Sequence, residues 1–310
     1  MNNEIFPTMI TPYKKDGTVD FETAEKYVDW YFQKGCTGIF SVCQSSEIFY
    51  LSLPERVELN KRVYARAKSH DQNFTVVSSG HISDTLEEQI EELGAIYNSG
   101  TDALILITNR LAKADESDDV FIANAEKIIS ALPADAKFGL YECPHPYKRL
   151  VTPKILKWCL STGKFYYMKD TCCNADIIAE RNKILCGTHF KLLNANCQTL
   201  LQSLKSGGKG YCGIMANFHP ELYVWLCNNF KNQPELAEKV QNLIGTVGFT
   251  EIGMPYPLTA KYSMCLEGIS TENIARNRES AELTEYMKES TRQMHKLCID
   301  FYDYINKEEK

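Results

Sequence analysis

The chain has 310 residues, 44% of them apolar and 24% charged, with a formal net charge of −6. A chain of this length and composition can bury an ample core. The acidic balance and the lack of any basic run argue against nucleic acid or an anionic membrane as the main partner. No stretch approaches the roughly 20 apolar residues of a membrane span. The opening Met1-Asn2-Asn3-Glu4 has neither the basic nor the apolar region of a signal peptide, so a cytoplasmic protein is expected. The 12 cysteines are mostly scattered through apolar segments, among them Cys36, Cys43, Cys159, Cys186, Cys212, Cys227, Cys265 and Cys298. They read as small buried hydrophobes in a reducing compartment rather than as a disulfide framework. Cys172-Cys173 lacks the spacing of a zinc or redox site, and no metal is expected.

In chain order, Ile5 to Ile10 is a first apolar run, closed by Thr11-Pro12. Asp20 caps a helix with Phe21, Ala24, Val28 and Tyr31 on one face, and Gly35 ends it. A strand follows over Thr37 to Val42, then the polar loop Cys43 to Glu47. Ser52-Leu53-Pro54-Glu55 is a capping box that opens a helix to about Ser69. Phe74 to Ser79 is the third strand, running into Gly80-His81. A second capping box spans Asp84 to Glu87 and begins a helix that ends at Gly100. Ala103 to Ile107 is a strand, Asp118 to Leu132 a helix, and Phe138 to Leu140 the next strand, ending at Tyr141. Thr152-Pro153 starts a helix that Gly163 stops. Phe165 to Met168 is a strand that ends in Lys169, and Asn174 caps the next helix. Phe190 to Leu193, a helix from Asn196 to Ser206, and a last strand near Tyr211 to Met215 complete the alternation.

Eight apolar runs alternating with helical patterns mean parallel strands joined by helical crossovers. Over about 220 residues this fits an α/β (β/α)8 barrel, a TIM barrel, better than an open sheet, and no G-x-G-x-x-G marks a nucleotide site. The expected division is a barrel over residues 1–220 and C-terminal helices over 221–310, the last near Asn277 to Ile305, packed on the barrel or on another subunit.

A barrel delivers the C-terminal end of every strand to one face. That face gathers Gln44 to Glu47, His81, Asn109-Arg110, Tyr141, Lys169, Asn194 to Asn196 and Ile214 to Asn217. A lysine inside the mouth is desolvated, which favours a neutral amine able to attack a ketone. Tyr141, ending the preceding strand, can pass a proton between the departing hydroxyl and that amine. Ser45 and Ser46 sit on a tight loop suited to holding a carboxylate. Glu47 reads as a brace for the loop rather than a base. Arg110 reads as a cation for a substrate carboxylate or for an acid of a neighbouring subunit. His81 and His145 read as solvated loop histidines.

The order Thr11-Pro12, Ser45-x-Glu47, Tyr141-x-x-Pro144, Lys169, Gly207-Gly208-x-Gly210 resembles the dihydrodipicolinate synthase and N-acetylneuraminate lyase family. The resemblance runs from about Phe6 to Gly268. It implies a cofactor-independent class I aldolase on a TIM barrel, in which Lys169 forms an imine with pyruvate or another 2-keto acid. It further implies that Tyr141 relays protons, the Ser45–Ser46 loop binds the keto-acid carboxylate, and Ile214 lines the pyruvate pocket. Asn194 and Asn196 match positions that meet a polyol aldehyde in sugar-acid members. Family members are often oligomers, so a homotetramer or dimer is expected.

Departures from the family pattern narrow the substrate. The carboxylate loop usually reads G-T-T-G-E or G-S-T-G-E, whereas here it is Cys43-Gln44-Ser45-Ser46-Glu47. Gln44 thus stands where a relay hydroxyl is usual, and Ser46 where a glycine is. The arginine that holds aspartate semialdehyde in dihydrodipicolinate synthases is replaced by Pro146, and their relay tyrosines by Arg110-Leu111. The expected activity is a carbon–carbon lyase acting on a 2-keto acid and an aldehyde. The alternatives are a dihydrodipicolinate synthase of lysine biosynthesis and a non-catalytic barrel that binds a keto acid.

Overall fold

The computed structural model describes residues 3–308. Its eight parallel strands are β1 (Glu4–Ile5), β2 (Gly38–Phe40), β3 (Thr75–Ser78), β4 (Ala103–Ile107), β5 (Phe138–Tyr141), β6 (Phe165–Asp170), β7 (Lys191–Asn194) and β8 (Gly210–Tyr211). They run in the order β1-β8-β7-β6-β5-β4-β3-β2. The ring closes through a parallel bridge between Thr8 and Phe40, with the Phe40 N–H donating to Pro7 O at 2.9 Å and the Met9 N–H to Phe40 O at 3.0 Å. The fold is the expected (β/α)8 barrel. Closure at the other seam needs Gly210, which pairs with Glu4 at φ +142°; a Cβ there would sit on the Glu4 carbonyl. Only a glycine permits so close an approach.

The helices are α1 (Phe21–Gln33), α2 (Leu53–His70), α3 (Leu86–Asn98), the single turn α4 (Thr108–Leu111), α5 (Asp118–Ala131), α6 (Pro153–Thr162), α7 (Ala175–Leu185) and α8 (Leu200–Lys205). Asp20, Ser52, Thr152 and Asn174 cap as their sequence contexts require, each accepting a backbone N–H of the first turn. Two starts differ. Thr85, not Asp84, caps α3, because the Asp84 carboxylate pairs instead with Arg110 at 2.7 Å. α8 begins at Leu200 rather than Asn196, because the Asn196 amide oxygen accepts from Thr199 N at 3.0 Å and Thr199 Oγ1 at 2.9 Å and closes a turn ahead of it.

Inside the ring, Phe6, Phe40, Val77, Ile105, Ile107 and Leu193 form the floor beneath the strand ends. Outside it, the helices bury their apolar faces on the sheet. α9 (Pro220–Asn229) packs on β1 and β8 as the eighth barrel helix, followed by α10 (Pro234–Thr250), α11 (Leu258–Leu266) and α12 (Glu285–Glu308). One continuous apolar cluster extends from Ile5 through Leu226, Val240 and Met264 to Ile305, so the tail shares the barrel's core.

The last helix starts at Glu285, not Asn277. The N–H groups of Arg276 and Asn277 donate to the Glu47 carboxylate at 2.6 and 3.0 Å, which takes this backbone out of any helix. Most of the cysteines are buried free thiols, but Cys173 and Cys186 are exposed and Cys172 and Cys265 half-buried. Among the described residues, no helix is long and apolar enough to cross a membrane.

Candidate active site

Strands β5 and β6 lie in register with Tyr141 opposite Lys169. Alternation along a strand sends successive side chains to opposite faces. The next residue of each strand end, Glu142 and Asp170, therefore points away from the mouth, where Arg181 of α7 pairs with both. Glu142 also accepts the N–H groups of Val151 at 2.7 Å and Thr171 at 2.8 Å. Burial pushes the Glu142 carboxyl up, against the pull of Arg181. This clamp fixes the ends of two adjacent strands, and so aims Tyr141 and Lys169 inward.

Lys169 is only 7% exposed. Its Nζ lies 4.1 Å from the centre of the Tyr141 ring and 5.5 Å from that of Phe40. It forms no ion pair among the described residues, so no carboxylate holds the amine away from an incoming carbonyl. The Tyr141 phenol donates to Gln44 Oε1 at 3.2 Å, and Cys143 Sγ donates to the same oxygen at 3.4 Å. Burial raises the Tyr141 phenol well above its usual value. The phenol therefore stays protonated.

The loop after β2 is a 3-10 turn over Gln44–Ser46, ended by Glu47 at φ 59°. Ser45 Oγ faces the cavity and donates to Thr8 Oγ1 at 3.0 Å. Ser46 turns the other way: its hydroxyl meets Met9 O at 2.6 Å and also Ser41 O, tying the turn to the segment after β1. Glu47 is fully buried and pairs with Lys261 of α11 at 2.5 Å, besides accepting the two tail N–H groups. Lys261 and Arg276 both stack on the Tyr13 ring, at 4.3 and 4.8 Å. Glu47 thus fastens the tail to the loop that bears Ser45.

Lys169 and Tyr141 open into a cavity of about 430 Å³ at the strand ends, with Gln44, Ser45 and Ile214 on its wall. Besides Ser46 and Glu47, two further expected members lie elsewhere. Arg110 reaches out to Asp84 and lies over the Phe49 ring at 5.6 Å, beside a separate hollow. Asn194 is buried, donating to Thr199 Oγ1 at 3.0 Å and accepting from Asn196 N at 2.8 Å; Asn196 faces the cavity in its place. The sequence reading missed Tyr256, Asn277 and Arg278 of the tail, and Lys148 and Thr171 of the barrel, all on the cavity wall. The prolines flanking Tyr256 were the one local signal of a rigid turn there.

His81 is not a solvated loop residue. It is buried, with the Ile107 N–H donating to its Nε2 at 2.8 Å and its Nδ1 facing the Gln89 amide oxygen at 3.0 Å. These partners fix the neutral tautomer with its proton on Nδ1. Burial lowers its pKa from 6.5 to about 4. The unfolded chain takes up that proton near 6.5, while the folded chain resists to about 4. The stability His81 contributes is therefore complete above 6.5 and is lost as pH falls through this window. Thermal melts should show a decline as pH falls below 6.5, and His81→Asn should lessen it, the remainder coming from His219, whose pKa burial lowers to about 3.

With this geometry in view, comparison with known proteins places the chain. A profile of the Dihydrodipicolinate synthetase family matches residues 1–297. The 4-hydroxy-tetrahydrodipicolinate synthase of Methanococcus aeolicus is 25% identical over 252 residues, 77% of this chain and 81% of that protein. An uncharacterized DapA-like lyase of Pyrococcus furiosus is 24% identical over 282 residues, 89% of this chain and 90% of its own. Among solved structures, YagE of E. coli, a prophage protein of the dihydrodipicolinic acid synthase family crystallised with pyruvate, superposes with a TM-score of 0.84 at 18% identity, covering 96% of this chain and 98% of its own. The Ruminococcus gnavus sialic acid aldolase gives 0.84 at 16% identity, covering 97% and 99%. The structural likenesses speak to the fold, and the profile, spanning nearly the whole sequence, to descent: the chain belongs to the dihydrodipicolinate synthetase family.

Proposed function

We propose that the protein is a class I aldolase that makes or breaks a carbon–carbon bond between pyruvate, or another 2-keto acid, and an aldehyde. The observation that carries this reading is the Lys169 amine lying 4.1 Å from the centre of the Tyr141 ring on the adjacent strand, only 7% exposed and with no carboxylate partner among the described residues. The amine attacks the ketone carbon, and the oxygen leaves as water after taking both protons of the nitrogen, passed to it in turn by Tyr141. Shift of a methyl proton to the imine nitrogen gives an enamine, whose carbon adds to the aldehyde as the nitrogen proton passes to the new hydroxyl. Hydrolysis of the new imine then returns the free amine. Cleavage runs the same steps backwards.

The remaining roles follow from position. The Ser45 turn holds the keto-acid carboxylate, and Ile214 closes the apolar side of the pyruvate pocket. Gln44 orients the phenol through the 3.2 Å bond. Ser46 and Glu47 act behind the wall, shaping the turn, and Asn194 acts through Asn196. Arg110, on the rim beyond the cavity, is suited to a contact between subunits of a cytoplasmic homo-oligomer, a tetramer or a dimer.

The reading is tested by assaying pyruvate release from a panel of 4-hydroxy-2-keto acids, and condensation of pyruvate with aspartate semialdehyde, the substrate expected of a dihydrodipicolinate synthase. Turnover with at least one is expected. Saturable pyruvate binding that survives Lys169→Ala, with no turnover on any member, would instead mark a keto-acid-binding barrel without catalysis.

A further inference from the structure

Glu47 and Lys261 lie behind the cavity wall without forming any of it, their side chains 0% and 1% exposed. Each nevertheless joins segments that do form it. Glu47 Oε1 accepts from Lys261 Nζ at 2.5 Å, and Oε2 accepts from the N–H groups of Arg276 and Asn277 at 2.6 and 3.0 Å. Lys261 also donates to Ile274 O at 2.6 Å. One carboxylate and one ammonium therefore bring together the turn 44–47, helix α11 and the stretch 274–277. These supply Ser45, the Tyr256-Pro257 lead into α11, and Asn277 to the same cavity.

The pair also holds a strained backbone. Glu47 sits at φ 59° and ψ 39°, a left-handed conformation that a residue other than glycine keeps only where its surroundings impose it. Three donors converge on its carboxylate and impose it here. The Glu47 N–H in turn donates to Gln44 O at 2.9 Å, closing the turn that presents Ser45. Ser46 grips this turn from the barrel side, through Met9 O at 2.6 Å, and Glu47 grips it from the tail side. Loss of the tail grip should loosen the turn without releasing it. The reacting pair is held separately, since Arg181 clamps the ends of β5 and β6 behind Tyr141 and Lys169.

We propose that Lys261 and Glu47 are positioning residues for keto-acid binding, their pair locking the Ser45 turn to the tail so that barrel and tail form the carboxylate subsite together. This rests on the pyruvate aldolase reading given above. A lysine that never meets the substrate then sets the affinity for it, while the rate of the chemical steps stays with Lys169 and Tyr141. Groups that support a binding turn from behind act in this way, because small displacements of the turn cost affinity.

Exchange of the pyruvate methyl protons in heavy water requires the enamine but no aldehyde, so its KM reports on the keto-acid half alone. The unaltered protein is expected to exchange. Lys261→Met strands a buried carboxylate, and a lower melting temperature is expected from that alone. Adding Glu47→Gln removes the stranded charge and keeps an oxygen for the tail N–H groups, so the double variant should regain most of the lost melting temperature. Its KM for pyruvate should still exceed the parent's about tenfold, with kcat for exchange within about threefold. Arg276→Gln tests the same tie without touching a buried charge pair. Its side chain is 25% exposed and fastens the stretch 274–277 to Glu55 at 2.6 Å and to Gly17 O at 3.0 Å. Its loss should raise KM about threefold at similar kcat, and it decides the matter if the double variant misfolds. A KM that returns to the parent value along with the melting temperature overturns the inference alone. So does a fall in kcat at unchanged KM, or an Arg276→Gln protein with unchanged KM. Absence of exchange by the unaltered protein overturns the aldolase reading and the inference with it.

Discussion

Replacing Lys169 by alanine, methionine or arginine is expected to abolish both pyruvate methyl exchange and aldol turnover, by at least about ten-thousandfold. Alanine and methionine have no nucleophile. Arginine keeps much of the length, but its guanidinium stays protonated and cannot form the imine. The folded state should tolerate the change. Lys169 is 7% exposed, and its recorded contacts are ring faces rather than hydrogen-bond or ion-pair partners, so its removal orphans no buried donor or acceptor. Lys169→Met fills the same space without placing a charge in the barrel interior. Its melting temperature should equal or exceed that of the parent, as happens where a site is built for chemistry at some cost in stability. Loss of activity together with a large fall in melting temperature would instead mean that Lys169 serves the fold.

Tyr141→Phe is expected to lower turnover about a hundred- to ten-thousandfold, the range of a positioned proton donor, with little change in KM for pyruvate. The ring would keep its edge-to-face contact with Phe40, 5.6 Å between centres, and its face toward the amine. The lost proton carrier should slow imine formation and its hydrolysis alike, so pyruvate exchange and aldol turnover fall together. Gln44 Oε1 would still accept from Cys143 at 3.4 Å, which limits the damage to the loop. A variant with unchanged kcat and a raised KM would show that the phenol only binds substrate.

Much of this site was legible in the sequence because barrel geometry is local. A strand that ends in a polar residue places it at the mouth, and adjacent strands in parallel register bring Tyr141 and Lys169 together over a separation of 28 residues (169 − 141). Side-chain direction beyond the strand ends was not legible. Asn194 ends β7 and Arg110 lies in the single turn after β4, as expected, yet Arg110 swings out to Asp84 and Asn194 turns into its own loop, choices made by the neighbours each meets. Ser46 belongs to the expected loop, but the turn that presents Ser45 to the cavity sends the next hydroxyl back onto Met9 and Ser41.

The contribution of the tail was hidden for a different reason. Asn277 reads as the start of a long helix, and nothing near it in sequence announces that a buried glutamate more than 200 residues earlier accepts its backbone N–H and that of Arg276. His81 likewise sits in a glycine-flanked loop that looks polar. Its burial depends on Gln89 and on the Ile107 N–H, contributed by the helix and strand that follow.

The most direct test is to mix the protein with pyruvate, reduce with borohydride and locate the added mass by peptide sequencing in a mass spectrometer. A reduced pyruvyl group on the peptide bearing Lys169, and on that residue, is the predicted result. An unmodified Lys169, or an adduct confined to Lys148 or Lys261, would contradict it.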